Sequence, residues 1–197
     1  MQAGRPRYKR AKRRALLSLL VALLAGCATP PPAADLEKID RVLVLIQQRL
    51  DYMDDVARNK WNSGAPIEDL PREREIIDAI GAQAGIYSLD PSVAKDFFHA
   101  QIEASKIIQY TRFREWRARN QPPFDSIPGL RNQIRPALDA LTPALLAALA
   151  AAMPELARPG GAAVVEARAK SIVTGASAGA PARNAAVTPL TSIAGNR

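Results

Sequence analysis

Apolar residues fall at Leu36, Ile39, Leu43, Ile46, Leu50, Met53 and Ala57, an alternating spacing of three and four sustained over three heptads. That period predicts one long helix packed along a single seam. The next position in the series is Lys60, so a charge sits on the seam either at a frayed end or pointed inward for a purpose. Gly64-Ala65-Pro66 breaks the helix, and Asp69, with Pro71 in the first turn, caps a second one running to about Tyr87. Asp90-Pro91 repeats the signal for a third helix, which reaches roughly Ala118 and is ended by Asn120-Gln121-Pro122-Pro123. A fourth helical region, Leu130 to Met153, is interrupted by Pro136 and Pro143 and is predicted to kink or split. After Pro159-Gly160-Gly161 the chain is rich in Ala, Gly, Ser and Thr. A short helix fits Val164 to Ile172, and the remainder reads as largely disordered. The predicted fold is all-α, a single helical domain built on one long N-terminal helix packed against two to four further helices.

Composition supports that reading, since aromatics are only 5% and β-branched runs are scarce. The net charge of +8 looks like a nucleic-acid signal until it is divided by region. Residues 1–26 hold seven basic residues and no acid, and residues 159–197 hold four basic residues and one Glu. The middle, 28–158, has 16 basic and 18 acidic residues. A duplex-binding domain keeps its basic surface on the folded part, so nucleic acid is set aside as a partner. With one cysteine (Cys27) and one histidine (His99), neither a disulfide nor a multi-His or thiolate metal site is available, and no metal is expected.

The basic start is followed by about ten apolar residues from Ala15 to Leu24, too few to span a hydrocarbon layer of about 30 Å. This run fits the central part of a secretory signal. It ends in Leu24-Ala25-Gly26-Cys27, which resembles a bacterial lipoprotein box whose cysteine accepts the lipid. The sole cysteine stands at the position that the motif needs. The expected organisation is therefore a lipoprotein signal peptide over 1–27, a Pro-rich tether over 28–35, a folded domain over 36–158 and a low-complexity tail over 159–197. Export to the periplasm follows, with anchoring to a membrane through lipidated Cys27. Ala28 after the cysteine points to the outer membrane if the host is a diderm.

On the first helix Arg49 and Lys60 are eleven residues apart, which returns them to within about 20° of one direction and about 16 Å along the axis. Two long cations on one face can converge on a small anion. On the third helix Val93, Phe97, Gln101, Ser105 and Gln109 form one i,i+4 row that begins apolar and turns polar. Ser105 and Gln109 thus offer neutral hydrogen-bonding groups in line.

Three runs carry a resemblance: Arg49-Leu50-Asp51-Tyr52-Met53 through Asn59-Lys60-Trp61; Pro66-Ile67-Glu68-Asp69-Leu70-Pro71-Arg72-Glu73; and Ile102-Glu103-Ala104-Ser105-Lys106-Ile107-Ile108-Gln109-Tyr110-Thr111-Arg112-Phe113. The chain resembles the helical chorismate mutases, above all their exported, periplasmic subclass, over about residues 36–150. The intervals of 11, 12, 33 and 4 residues linking Arg49, Lys60, Arg72, Ser105 and Gln109 match the family pattern without gaps. The resemblance implies an isomerase that turns chorismate into prephenate by a concerted [3,3] shift, without a cofactor. By likeness, Arg49 and Arg135 hold the substrate carboxylates, with Arg72 and Ser105 assisting. Lys60 and Gln109 donate to the breaking ether oxygen, and Asp69 and Glu73 receive the ring hydroxyl. Cytoplasmic members borrow a further cation seventeen residues before Arg49, where this chain has Pro32. Exported members supply an arginine later in the same chain; Arg135 is the matching candidate and Arg131 the reserve. The family is often dimeric, which suggests a homodimer.

Taken singly, each residue has a plainer reading. Lys60 would snorkel at a helix end, Asp69 would cap a helix, and Arg72 and Glu73 would be solvated first-turn residues. Ser105 and Gln109 would satisfy the backbone, Arg135 would pair with Asp139 one turn on, and His99 has no role. The competing function is a non-catalytic helical lipoprotein that binds a partner or a small carboxylate on the same scaffold.

Overall fold

The computed structural model describes residues 33–175 and 179–195. Residues 1–32 lie outside them, and with them the signal peptide, Cys27 and most of the expected tether. The long first helix begins at Ala33, within the stretch assigned to the tether. It comprises α1 (Ala33–Asp51) and α2 (Met53–Ser63). Tyr52 between them keeps helical dihedrals (φ −71°, ψ −15°), and its carbonyl still accepts from the Val56 N–H at 3.0 Å. The seam is buried as its spacing requires: Ile39, Leu43, Ile46, Leu50, Met53 and Ala57 are each 3% exposed or less. Gly64 ends α2 in the left-handed region (φ 68°), where a residue with a side chain is strained. Its N–H bonds to the Trp61 carbonyl and the Ala65 N–H to that of Lys60, closing the last turn. Lys60 is therefore held in the final turn of the helix.

α3 (Leu70–Gln83) starts at Asp69, whose carboxylate accepts from the Arg72 N–H at 3.3 Å. Glu73 reaches back to the Asp69 N–H at 3.3 Å, so cap and first turn lock each other. A 3-10 turn over Ala84–Tyr87 finishes this helix. α4 (Pro91–Ala118) is capped by Asp90 and buries Phe97, Gln101, Ser105 and Gln109 along one row. The following loop is fastened to α2 by the Asn62 side chain, which pairs with both backbone groups of Phe124 (2.7 and 2.8 Å).

One π-type turn, Leu130–Ile134, leads into α5 (Arg135–Leu156). The prolines neither split nor end α5. Pro136 lies in the first turn, where its missing N–H costs nothing. Pro143 forfeits one backbone bond, but Leu145, Leu146 and Leu149 beyond it are fully buried and carry the helix through.

The tail corrects the expectation of disorder. α6 (Gly161–Ile172) lies where a short helix is expected, and α7 (Ala180–Gly195) is helical where disorder is expected, giving five helices beyond the first among the described residues rather than at most four. α7 packs on α4 and α6, and Ala182, Ala186 and Leu190 are 2% exposed or less. Small residues that look like low complexity in sequence let these helices approach closely. Polar contacts fix the rest. Arg168 grips the Asp40 carboxylate with two nitrogens, Gln47 accepts from the Gly175 N–H at 3.1 Å, and buried Gln101 donates to the Ala186 carbonyl at 2.8 Å.

Candidate active site

Arg49, Lys60, Asp69, Arg72, Glu73, Ser105, Gln109 and Arg135 come from five different elements and line one cavity of about 140 Å³. α1 supplies Arg49, α2 Lys60 and α3 Arg72 and Glu73, with Asp69 at its cap; α4 supplies Ser105 and Gln109, and α5 Arg135. Met53, Val56, Ile76, Ile102 and Leu138 complete the wall with apolar surface. The cavity opens into a wider groove lined by Asn59, Ser63, Leu70 and Arg131, which shares Lys60, Asp69 and Arg135 with it. Arg135 thus faces the inner chamber, and Arg131 only the groove outside.

The electrostatics are those of an anion site. Five cations (Arg49, Lys60, Arg72, Lys106, Arg135) face three carboxylates (Asp69, Glu73, Asp139), a net of two positive charges. Arg49 is only 7% exposed, and its buried Nε has no hydrogen-bond partner. Burial lowers its pKa to about 10, against the opposing pull of Asp139. Burial also lowers Lys60 below the ordinary lysine range; Asp69 and Glu73 oppose the shift and Arg135 adds to it. The Lys60 ammonium donates to the Ile67 carbonyl, and both residues line the cavity.

Arg135 pairs with Asp69 at 3.6 Å, not with Asp139 one turn on. Asp139 instead meets Arg72 at 3.5 Å, and Arg72 also holds Glu75 at 3.2 Å. On α4 the Ser105 hydroxyl donates to the Gln101 carbonyl at 2.7 Å, and one N–H of the Gln109 amide donates to the Ser105 carbonyl at 3.1 Å. The second Gln109 N–H is left for a ligand, since an amide carries two. The buried Gln109 Oε1 has no partner.

Two charged cavity residues escaped the sequence reading. Lys106 looks like half of a surface i,i+3 pair with Glu103, and that pair exists at 2.6 Å, but Lys106 also reaches Glu73 at 3.2 Å. Asp139 was assigned to Arg135 by its spacing alone. His99 is exposed. Among the described residues no three His, Cys, Asp or Glu side chains gather as metal ligands.

Fold and cavity define a helical protein with a small, cation-rich chamber. Residues 34–110 match the family model described as chorismate mutase type II. A secreted chorismate mutase of Mycolicibacterium smegmatis is 32% identical over 145 residues, covering 73% of this chain and 80% of that one. The secreted chorismate mutase of Yersinia pestis is 34% identical over 96 residues, about half of either chain. Among solved structures, the chorismate mutase from Burkholderia phymatum superposes with a TM-score of 0.74 at 28% identity, covering 80% of this chain and 98% of that one. The chain belongs to the chorismate mutase family.

Proposed function

We propose that this protein isomerises chorismate to prephenate in the cavity between α1 and α5. The observation that carries this reading is the convergence of eight family-matched side chains on one chamber with two surplus positive charges. Chorismate is a dicarboxylate, and its rearrangement is concerted, so no nucleophile or proton shuttle is called for. What speeds it is confinement in the compact diaxial conformer and stabilisation of negative charge on the breaking ether oxygen. Arg49 and Arg135 would hold the two carboxylates, with Arg72 and Ser105 beside them; planar guanidinium groups match carboxylates better than an ammonium does. Lys60 and the free Gln109 N–H would donate to the ether oxygen. Asp69 and Glu73 would receive the ring hydroxyl. All eight side chains come from one chain, so this reading calls for no residue from a second subunit.

The test is loss of chorismate absorbance on addition of purified residues 33–197. Gln109 donates at every pH, whereas a glutamate there donates only when protonated. Turnover should therefore stay flat between about pH 5 and 8. It should decline on the alkaline side, sooner than an ordinary lysine would dictate, as Lys60 with its lowered pKa loses its proton. A steep fall above about pH 6 contradicts the role given to Gln109.

We further propose that the enzyme works outside the cytoplasm, tethered through a lipid on Cys27. Three relatives are named secreted chorismate mutases. The basic start, the short apolar run and Leu24-Ala25-Gly26-Cys27 form the matching signal. Cells fed labelled palmitate should label the protein, and Cys27→Ser should abolish the label; label retained in that variant contradicts the anchor.

A further inference from the structure

We propose that Lys106 is a positioning residue for the rearrangement, neutralising and orienting Glu73 so that this carboxylate receives the substrate hydroxyl without repelling the substrate's own carboxylates. The inference rests on the mutase reading above. A chamber that takes up a dianion is a poor place for an ionised carboxylate, yet Glu73 lines it. Its two oxygens have different partners. Oε1 accepts from the Asp69 N–H at 3.3 Å, and Oε2 meets the Lys106 ammonium at 3.2 Å. The helix cap therefore sets the plane of the carboxylate, and the lysine balances its charge.

Lys60 acts on Glu73 only through space, and Lys106 is the cation that contacts it directly. Arg72 binds Glu75 and Asp139, Arg135 faces Asp69, and Lys60 donates to the Ile67 carbonyl. Lys106 reaches from α4 across to α3 with its side chain only 13% exposed, against 20% for Glu73. In such surroundings a charge pair is screened far less than at an open surface. Glu103 also holds the lysine, at 2.6 Å, but its side chain is 59% exposed and lies outside the chamber lining. Lys106 stands one residue past Ser105, so the helix that carries the substrate-facing hydroxyl also carries the group that tunes Glu73.

The experiment is steady-state kinetics on the full chain with Lys106→Met, Lys106→Gln, Lys106→Arg, Glu73→Gln and the Lys106→Met/Glu73→Gln pair, with helicity checked for each. Lys106→Met and Lys106→Gln should raise KM about tenfold or more while kcat changes less than about threefold. Lys106→Arg should restore KM to within about threefold, since the charge is kept. In the Glu73→Gln background the Lys106→Met change should move KM by less than about twofold, because there is no longer an anion to balance. Equal KM effects with and without Glu73→Gln overturn the proposal, as does a kcat loss at constant KM. Lys106→Gln keeps the test open if Lys106→Met fails to fold. Absence of turnover in the unsubstituted protein overturns the mutase reading itself, and this inference with it.

Discussion

Lys60→Ala should lower kcat by about a hundred- to a thousandfold, the usual cost of removing one donor to charge that develops in a transition state. The substitution isolates chemistry from folding. Lys60 sits in the last turn of α2, where the cap is made by backbone groups of Lys60, Trp61, Gly64 and Ala65, none of which it alters. Helicity should be unchanged. Its ammonium is poised for the role because burial has weakened its hold on the proton and its one hydrogen bond is to a backbone carbonyl. Gln109→Leu, which removes the neighbouring amide donor, should act in the same range. The readout is kcat from chorismate absorbance beside circular dichroism. Near-normal turnover in Lys60→Ala would leave the ammonium as a snorkelling helix end and nothing more.

Arg49→Met should lower kcat/KM by about a thousandfold or more and make the protein more stable. The sign follows from the direction of the pKa shift. Burial lowers the folded-state value from the ordinary arginine range to about 10, so the folded state disfavours the charged form relative to the unfolded chain. That penalty is fully present below the folded pKa, including at pH 7, and disappears only above the unfolded one. A shift of this size corresponds to roughly 3 kcal/mol. Methionine removes the charge and the unpartnered Nε while filling similar volume. The expected gain is about 1–3 kcal/mol at neutral pH, a rise in Tm of several degrees. Urea unfolding of the unliganded proteins measures it, and a Tm that falls would show that Arg49 is held by its pairing rather than kept for substrate. The same strain predicts that a dianion will stabilise the unsubstituted protein and not the variant.

The elements that could be read from the chain are those with strong contrast between faces. Leu36 through Ala57 alternate so regularly that the long helix and its buried seam follow from spacing, while the direction of Lys60 stays open there between a frayed end and the interior. Asp69 and Asp90 announce their helices through side-chain chemistry that operates locally, which is why those boundaries hold. Within α4, the i,i+4 row from Phe97 to Gln109 is buried as a unit, so the sequence alone brought Ser105 and Gln109 to one wall. The tail was misread for the opposite reason. α7 buries Ala182 and Ala186, residues too small to mark a face in a hydrophobicity pattern, and its hold on Gln101 joins groups 85 positions apart. Lys106 is hidden by an ordinary partner within one turn, Glu103, and Asp139 by a spacing that matches it to Arg135, with which it does not pair. Only the folded chain shows that Lys106 reaches Glu73 and that Asp139 meets Arg72. The choice of Arg135 over Arg131 likewise depends on the π-type turn that aims one into the chamber and leaves the other in the groove.

The most direct test is a crystal structure of residues 33–197 with a bicyclic dicarboxylate that mimics the rearranging substrate. The account predicts the mimic inside the chamber, one carboxylate on Arg49 and the other on Arg135. Its ether oxygen should lie about 3 Å from both the Lys60 ammonium and the Gln109 amide nitrogen. A mimic bound in the outer groove alone, or with its ether oxygen turned away from both donors, would contradict it.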